Sequence, residues 1–92
     1  MSSNLLKAKI INRIFFRQGP GDHYQEKFTL YAAGQHITVV KRQQDKKGKW
    51  WIQVEGIIHD TGSNRNYDVA GLWTRANYLD KDSYNYYKIP TR

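Results

Sequence analysis

Ala8-Lys9-Ile10-Ile11-Asn12-Arg13-Ile14-Phe15-Phe16, followed at once by Arg17-Gln18-Gly19-Pro20-Gly21-Asp22-His23-Tyr24, is the stretch whose reading decides the fold. Side chains of a strand alternate between two faces, so Ile10, Ile14 and Phe16 can enter a core while Lys9, Arg13 and Arg17 stay in water. Ile11 and Phe15 fall on the wet parity, and alternation alone does not account for them. The strand, expected over 8–16, should stop at Gly19-Pro20-Gly21. Proline removes a ladder donor, and the glycines permit backbone angles closed to other residues. A polar loop carrying Asp22, His23 and Tyr24 then hangs from the end of a strand.

Period-two patterning continues downstream. Glu26 to Tyr31 alternates with Phe28 and Leu30 inward, and 32–35 reads as a turn. His36 to Gln43 is rich in β-branched residues and predicts a strand with Ile37 and Val39 inward. Asp45-Lys46-Lys47-Gly48 is a polar turn. Lys49 to Gly56 is a further strand with Ile52 and Val54 in the core; their parity also buries Trp50 and exposes Trp51. Thr74 to Asn77 predicts a short 3₁₀ turn. The expected core is completed by Val69 and Leu79. No segment places apolar residues at helical spacing over ten or more positions, so the chain reads as all-β.

Four landmarks resemble the bacterial SH3 (SH3b) domains found in cell-wall hydrolases and phage endolysins. Arg17-Gln18-Gly19-Pro20-Gly21 with Tyr24 is similar to the family's Asn-Val-Arg-Ser-Gly-Pro-Gly-x-x-Tyr signature, Phe16 standing for its valine. Leu30 to Val40 resembles the hairpin L-x-x-G-x-x-V-x-V. Trp50-Trp51-Ile52-Gln53-Val54 resembles the Trp-rich strand, and Trp73 to Leu79 the closing G-W-V-x-x-x-Y-L. The resemblance spans roughly 8–80 and implies a small SH3-like barrel of five to six antiparallel strands. In that family the last positions, here Trp73 and Tyr78, close the barrel. The chain departs from the pattern at about 57–70, where an extended hairpin replaces a tight turn. Such a hairpin is either a seat of specificity or a decoration. Residues 1–7 read as a flexible lead-in. Residues 81–92 form a tail whose Tyr84, Tyr86, Tyr87 and Ile89 suit packing on the barrel.

Ninety-two residues make one small domain, with a core that has little to spare. There is no cysteine, hence no disulfide framework and no thiolate metal site. The N-terminus lacks the apolar run of a signal peptide or membrane span. Work at an extracellular or cell-wall location would therefore require a longer parent chain or release by lysis. Fifteen Lys and Arg against eight acids give a net charge of +7, which favours anionic partners. Two groups stand out: Lys7, Lys9, Arg13 and Arg17 near the front, and Lys41, Arg42, Lys46, Lys47 and Lys49 in the middle.

Chemistry would need a nucleophile, base or metal held in place. His59 and Asp60 are adjacent and thus on opposite strand faces, a poor geometry for a dyad. His23, His36 and Asp22 lack metal-ligand spacing. Catalysis, a metal and a cofactor are not expected. Binding is favoured, because three Trp, seven Tyr and three Phe exceed what so small a core can hold. The candidate ligand-binding residues are Arg17, Asp22, Tyr24 and Trp51, around the Gly-Pro-Gly loop. The resemblance implies a non-catalytic targeting module that holds a fused or associated hydrolase on peptidoglycan or its cross-bridge peptides; a monomer is expected. Two alternatives remain open: a protein- or peptide-binding module, and a small basic nucleic-acid-binding barrel using stacking aromatics.

Overall fold

β-branched and aromatic residues at alternating positions generate nine short strands in the computed structural model, which describes residues 6–80. In chain order they are β1 (Leu6–Ile10), β2 (Ile14–Arg17), β3 (Glu26–Leu30), β4 (His36–Gln44), β5 (Trp50–Glu55), β6 (Ile57–Asp60), β7 (Arg65–Asp68), β8 (Trp73–Arg75) and β9 (Leu79–Asp80). One 3₁₀ turn, Ala76–Tyr78, separates the last two. Seven strands form one sheet in the order β3-β2-β8-β5-β4-β1-β9, and β6 pairs with β7 in a second. Every pairing is antiparallel. This is an all-β arrangement consistent with a small SH3-like barrel.

The main sheet has seven strands where five to six were expected, for a physical reason. The segment read as one strand over 8–16 breaks at 11–13, because β1 leaves β2 to pair with β4 and β9. Ile11 sits in that break, 45 % exposed, which removes it from the parity argument. The extended hairpin expected at about 57–70 in addition to the barrel is present as the β6–β7 pair. β1 begins at Leu6, so residues 6 and 7 belong to a strand and not to the expected lead-in, whose residues 1–5 lie outside the described residues. The tail over 81–92 lies outside the described residues.

The core gathers Ile10, Ile14, Phe16, Leu30, Ile37, Val39, Ile52, Val54, Val69 and Leu79, all buried as expected. Phe28 is only half-buried, packing on the core and against the Tyr67 ring at 5.0 Å. Ala8, Ala32, Ile58 and Ala76 join the cluster without having been expected there.

The hairpin is part of that core. Ile58 and Val69 are fully buried. Asp60, also buried, accepts the backbone N–H groups of Tyr31 at 2.7 Å, Ser63 at 3.1 Å and Gly62 at 3.3 Å. Opposite, the Gln35 amide imitates a neighbouring strand: Nε2 donates to the His59 carbonyl at 2.5 Å and Oε1 accepts the His59 N–H at 3.0 Å. A buried amide group left unpaired costs about 1–3 kcal/mol, so these contacts fix where the hairpin docks.

Candidate functional site

The end of β2 is shaped by a register shift between Phe16 and Arg17. Phe16 faces Phe28 and Arg17 faces Glu26, so Lys27 is skipped. Such a bulge re-aims the side chains that follow it. Beyond it the loop closes on itself: the Gln18 N–H donates to the Gln25 carbonyl at 3.0 Å, and Arg17 Nη1 donates to the Tyr24 carbonyl at 2.9 Å. The Tyr24 ring lies directly on Gly19, where an added Cβ would come within 2.4 Å of it. Glycine is needed here for close approach. On its other side Tyr24 meets His23, ring centroids 4.3 Å apart.

Facing this loop is the turn between β4 and β5. Asp45 Oδ1 accepts the N–H groups of Lys47 and Lys49, each at 2.9 Å, and Oδ2 accepts the Trp51 indole N–H at 2.9 Å. Gly48 completes the turn with φ +84°, a left-handed angle that side chains disfavour. The Trp51 indole, foremost, and these backbone donors hold the Asp45 carboxyl below its ordinary range. Asp60 is lowered in the same direction, chiefly by the Tyr31 N–H.

Beside the loop, where β2, β3, β5, β8 and the 3₁₀ turn come together, lies a cleft of about 140 Å³. Phe15, Trp51 and Tyr78 supply aromatic wall, Arg17 and Arg75 positive charge, and Asp22 and Glu26 negative charge. A second, wider hollow of about 330 Å³ sets Gly21, Asp22 and His23 against Asp45, Lys46 and Lys47. Asp22 borders both. The cleft is too small for a drug-sized molecule, whose pockets start near ~300 Å³. It suits a short stretch of a chain, with partners for both an ammonium and a carboxylate.

Arg17, Asp22 and Trp51 are thus brought together, and Tyr24 is not: it faces Gly19 and His23, outside the lining of the cleft. The expected exposure of Trp51 is corrected. It is 2 % exposed, whereas Trp50 is half-buried with the Arg42 guanidinium 4.6 Å from its ring centre. Parity separates the two faces of β5 but says nothing about what covers each. β5 lies between β4 and β8 within the sheet, and the face opposite Ile52 and Val54 is closed by Asp45 and by Arg75, 5.7 Å from the Trp51 ring. Trp51 therefore contributes to the wall of the cleft rather than projecting from it.

Four lining residues escaped the sequence reading: Phe15, Glu26, Arg75 and Tyr78. Phe15 on the wet parity was the available signal, and its reason is now plain. It packs against Tyr78, centroids 5.6 Å apart, with the Arg13 guanidinium 5.4 Å from its ring centre. Among the described residues, no three His, Asp or Glu side chains converge where a metal ion could sit. None of the described helices is long and apolar enough to cross a membrane. No family model matches the chain, and no curated protein or solved structure matches it either.

Proposed function

We propose that this chain is a non-catalytic binding module for the bacterial cell wall. On this reading it takes a peptide of peptidoglycan, a stem or cross-bridge segment, in the cleft beside the Gly-Pro-Gly loop. It would thereby hold a fused or associated hydrolase, such as a phage lysin, on its substrate. The observation that supports the reading is the mixed lining of the cleft. Two guanidiniums and two carboxylates around aromatic wall offer partners to a zwitterionic peptide, whereas a purely basic groove would suit a phosphate backbone. The net charge of +7 adds long-range attraction to a polyanionic wall, strongest at low ionic strength.

The test is sedimentation with purified cell walls beside a gel shift with single- and double-stranded nucleic acid, both at physiological salt. Binding to walls without release of soluble fragments is expected. Asp22→Asn and Arg75→Gln should weaken it, since both line the cleft and Asp22 is exposed. Preference for oligonucleotides, or wall binding untouched by both variants, would replace this reading with a nucleic-acid or protein-binding role.

A further inference from the structure

Arg13 belongs to no expected site, yet it is an exposed cation held by several contacts. Its guanidinium lies between two rings, 5.4 Å from the centre of Phe15 and 5.7 Å from that of Tyr31. Its Nη1 also reaches the Tyr31 hydroxyl at 3.5 Å. Tyr31 is itself 50 % exposed and backed by Gly62, where an added Cβ would come within 2.8 Å of the ring. Among the described residues no carboxylate pairs with Arg13. Arg13 thus stands one ring beyond the cleft, because Phe15 touches it and also lines the cleft.

We propose that Arg13 is a carboxylate-recognition residue, and that the ligand runs from the cleft across Phe15 to reach it. This rests on the peptide reading above and specifies the peptide: an acid-bearing one. The chemistry is that of the planar guanidinium. Held by two rings, it has already lost much of the rotamer freedom that binding would otherwise cost, and its N–H edge meets a carboxylate in two parallel hydrogen bonds. Ring stacking is the weaker use of this surface, because Phe15 already carries Arg13 and Tyr78 and the inner side of Tyr31 rests on Gly62. The open function is the charge, and its complement is a carboxylate.

Calorimetric titration with two soluble peptides tests this: Ala-Glu-Lys-Ala with a free C-terminus, and a twin with Gln for Glu and an amidated C-terminus. The parent should prefer the acid peptide. Arg13→Lys keeps the charge but loses the fork, and should weaken the acid peptide about three- to tenfold while leaving the twin unchanged. Tyr31→Leu, which removes one of the two restraining rings, should produce a smaller loss with the same selectivity. Full affinity in Arg13→Lys, or an equal loss for both peptides, overturns the role of Arg13. If Arg75→Gln then still weakens both peptides, the cleft reading survives without it. A parent that binds neither peptide, or that binds single-stranded oligothymidylate more tightly, overturns both.

Discussion

The indole N–H of Trp51 donates to Oδ2 of Asp45 across 2.9 Å, tying the wall of the cleft to the turn that presents Lys46 and Lys47. The other oxygen of the same carboxylate holds the N–H groups of Lys47 and Lys49. One side chain therefore sets both a turn conformation and the orientation of a buried tryptophan. Asp45→Ala should release both at once. The expected result is a lower thermal midpoint together with altered Trp fluorescence; an unchanged emission spectrum would show that Trp51 is held by packing alone.

Phe16→Ala should cost roughly 3–5 kcal/mol, since Phe16 is fully buried, and a small domain has little more than that in total. Trp51→Ala belongs in the same class despite its place in the cleft, being 2 % exposed. Phe15→Ala should be milder in stability and larger in its effect on binding, because Phe15 is half-buried and lines the cleft. Urea denaturation of the three variants gives the order; equal losses at Phe15 and Phe16 would contradict the assigned faces of β2.

Thr74 is completely buried in β8, and its Oγ1 has no hydrogen-bond partner among the described residues. An unsatisfied buried hydroxyl carries a desolvation cost of about 1–3 kcal/mol, and an apolar group of the same shape does not. Thr74→Val should therefore leave the midpoint unchanged or raise it. A clear loss of stability would reveal a partner for the hydroxyl, such as a buried water.

Asp45 and Asp60 both titrate below their ordinary value of 3.8 in the folded state. A carboxyl with a depressed folded pKa contributes stability that is fully present above its unfolded pKa, near ~3.9, and is lost as pH falls through the folded value. Stability should thus be insensitive to these two groups from pH 7 down to about 5, then decline below about 4. Denaturation across that range in Asp60→Asn should show a shallower acid decline. An unchanged acid limb would mean that the Tyr31 and Ser63 donors do not favour the ionised form.

The period-two segments made most of the strands and eight of the core positions legible, since alternation records which face is buried. The Gly-Pro-Gly motif placed the loop, and Arg17 and Asp22 with it. Trp51 was misplaced because one-dimensional parity assumes that one face of a strand is wet, whereas β5 is covered on both at this end. Phe15, Arg75 and Tyr78 meet only through the pairing of β2 and β5 with β8 and the 3₁₀ turn that follows. No local pattern records that meeting. Arg17 looked like a ligand contact from its motif, but its guanidinium also clamps the Tyr24 carbonyl, a loop-closing bond invisible before the chain is folded.

The docking of the hairpin by Gln35 and Asp60 has a consequence for anyone reshaping the molecule. What resembled an addendum to a smaller barrel cannot be trimmed back to one: excising 57–70 would strip Ile58 and Val69 from the interior. It would also strand the Tyr31 N–H and carbonyl, which Asp60 and Thr61 now satisfy. The resulting stub would be a damaged domain, not a minimal one. Fusion partners or reporters are better spliced elsewhere than into 57–70, because Ile58 and Val69 of that hairpin fill the interior.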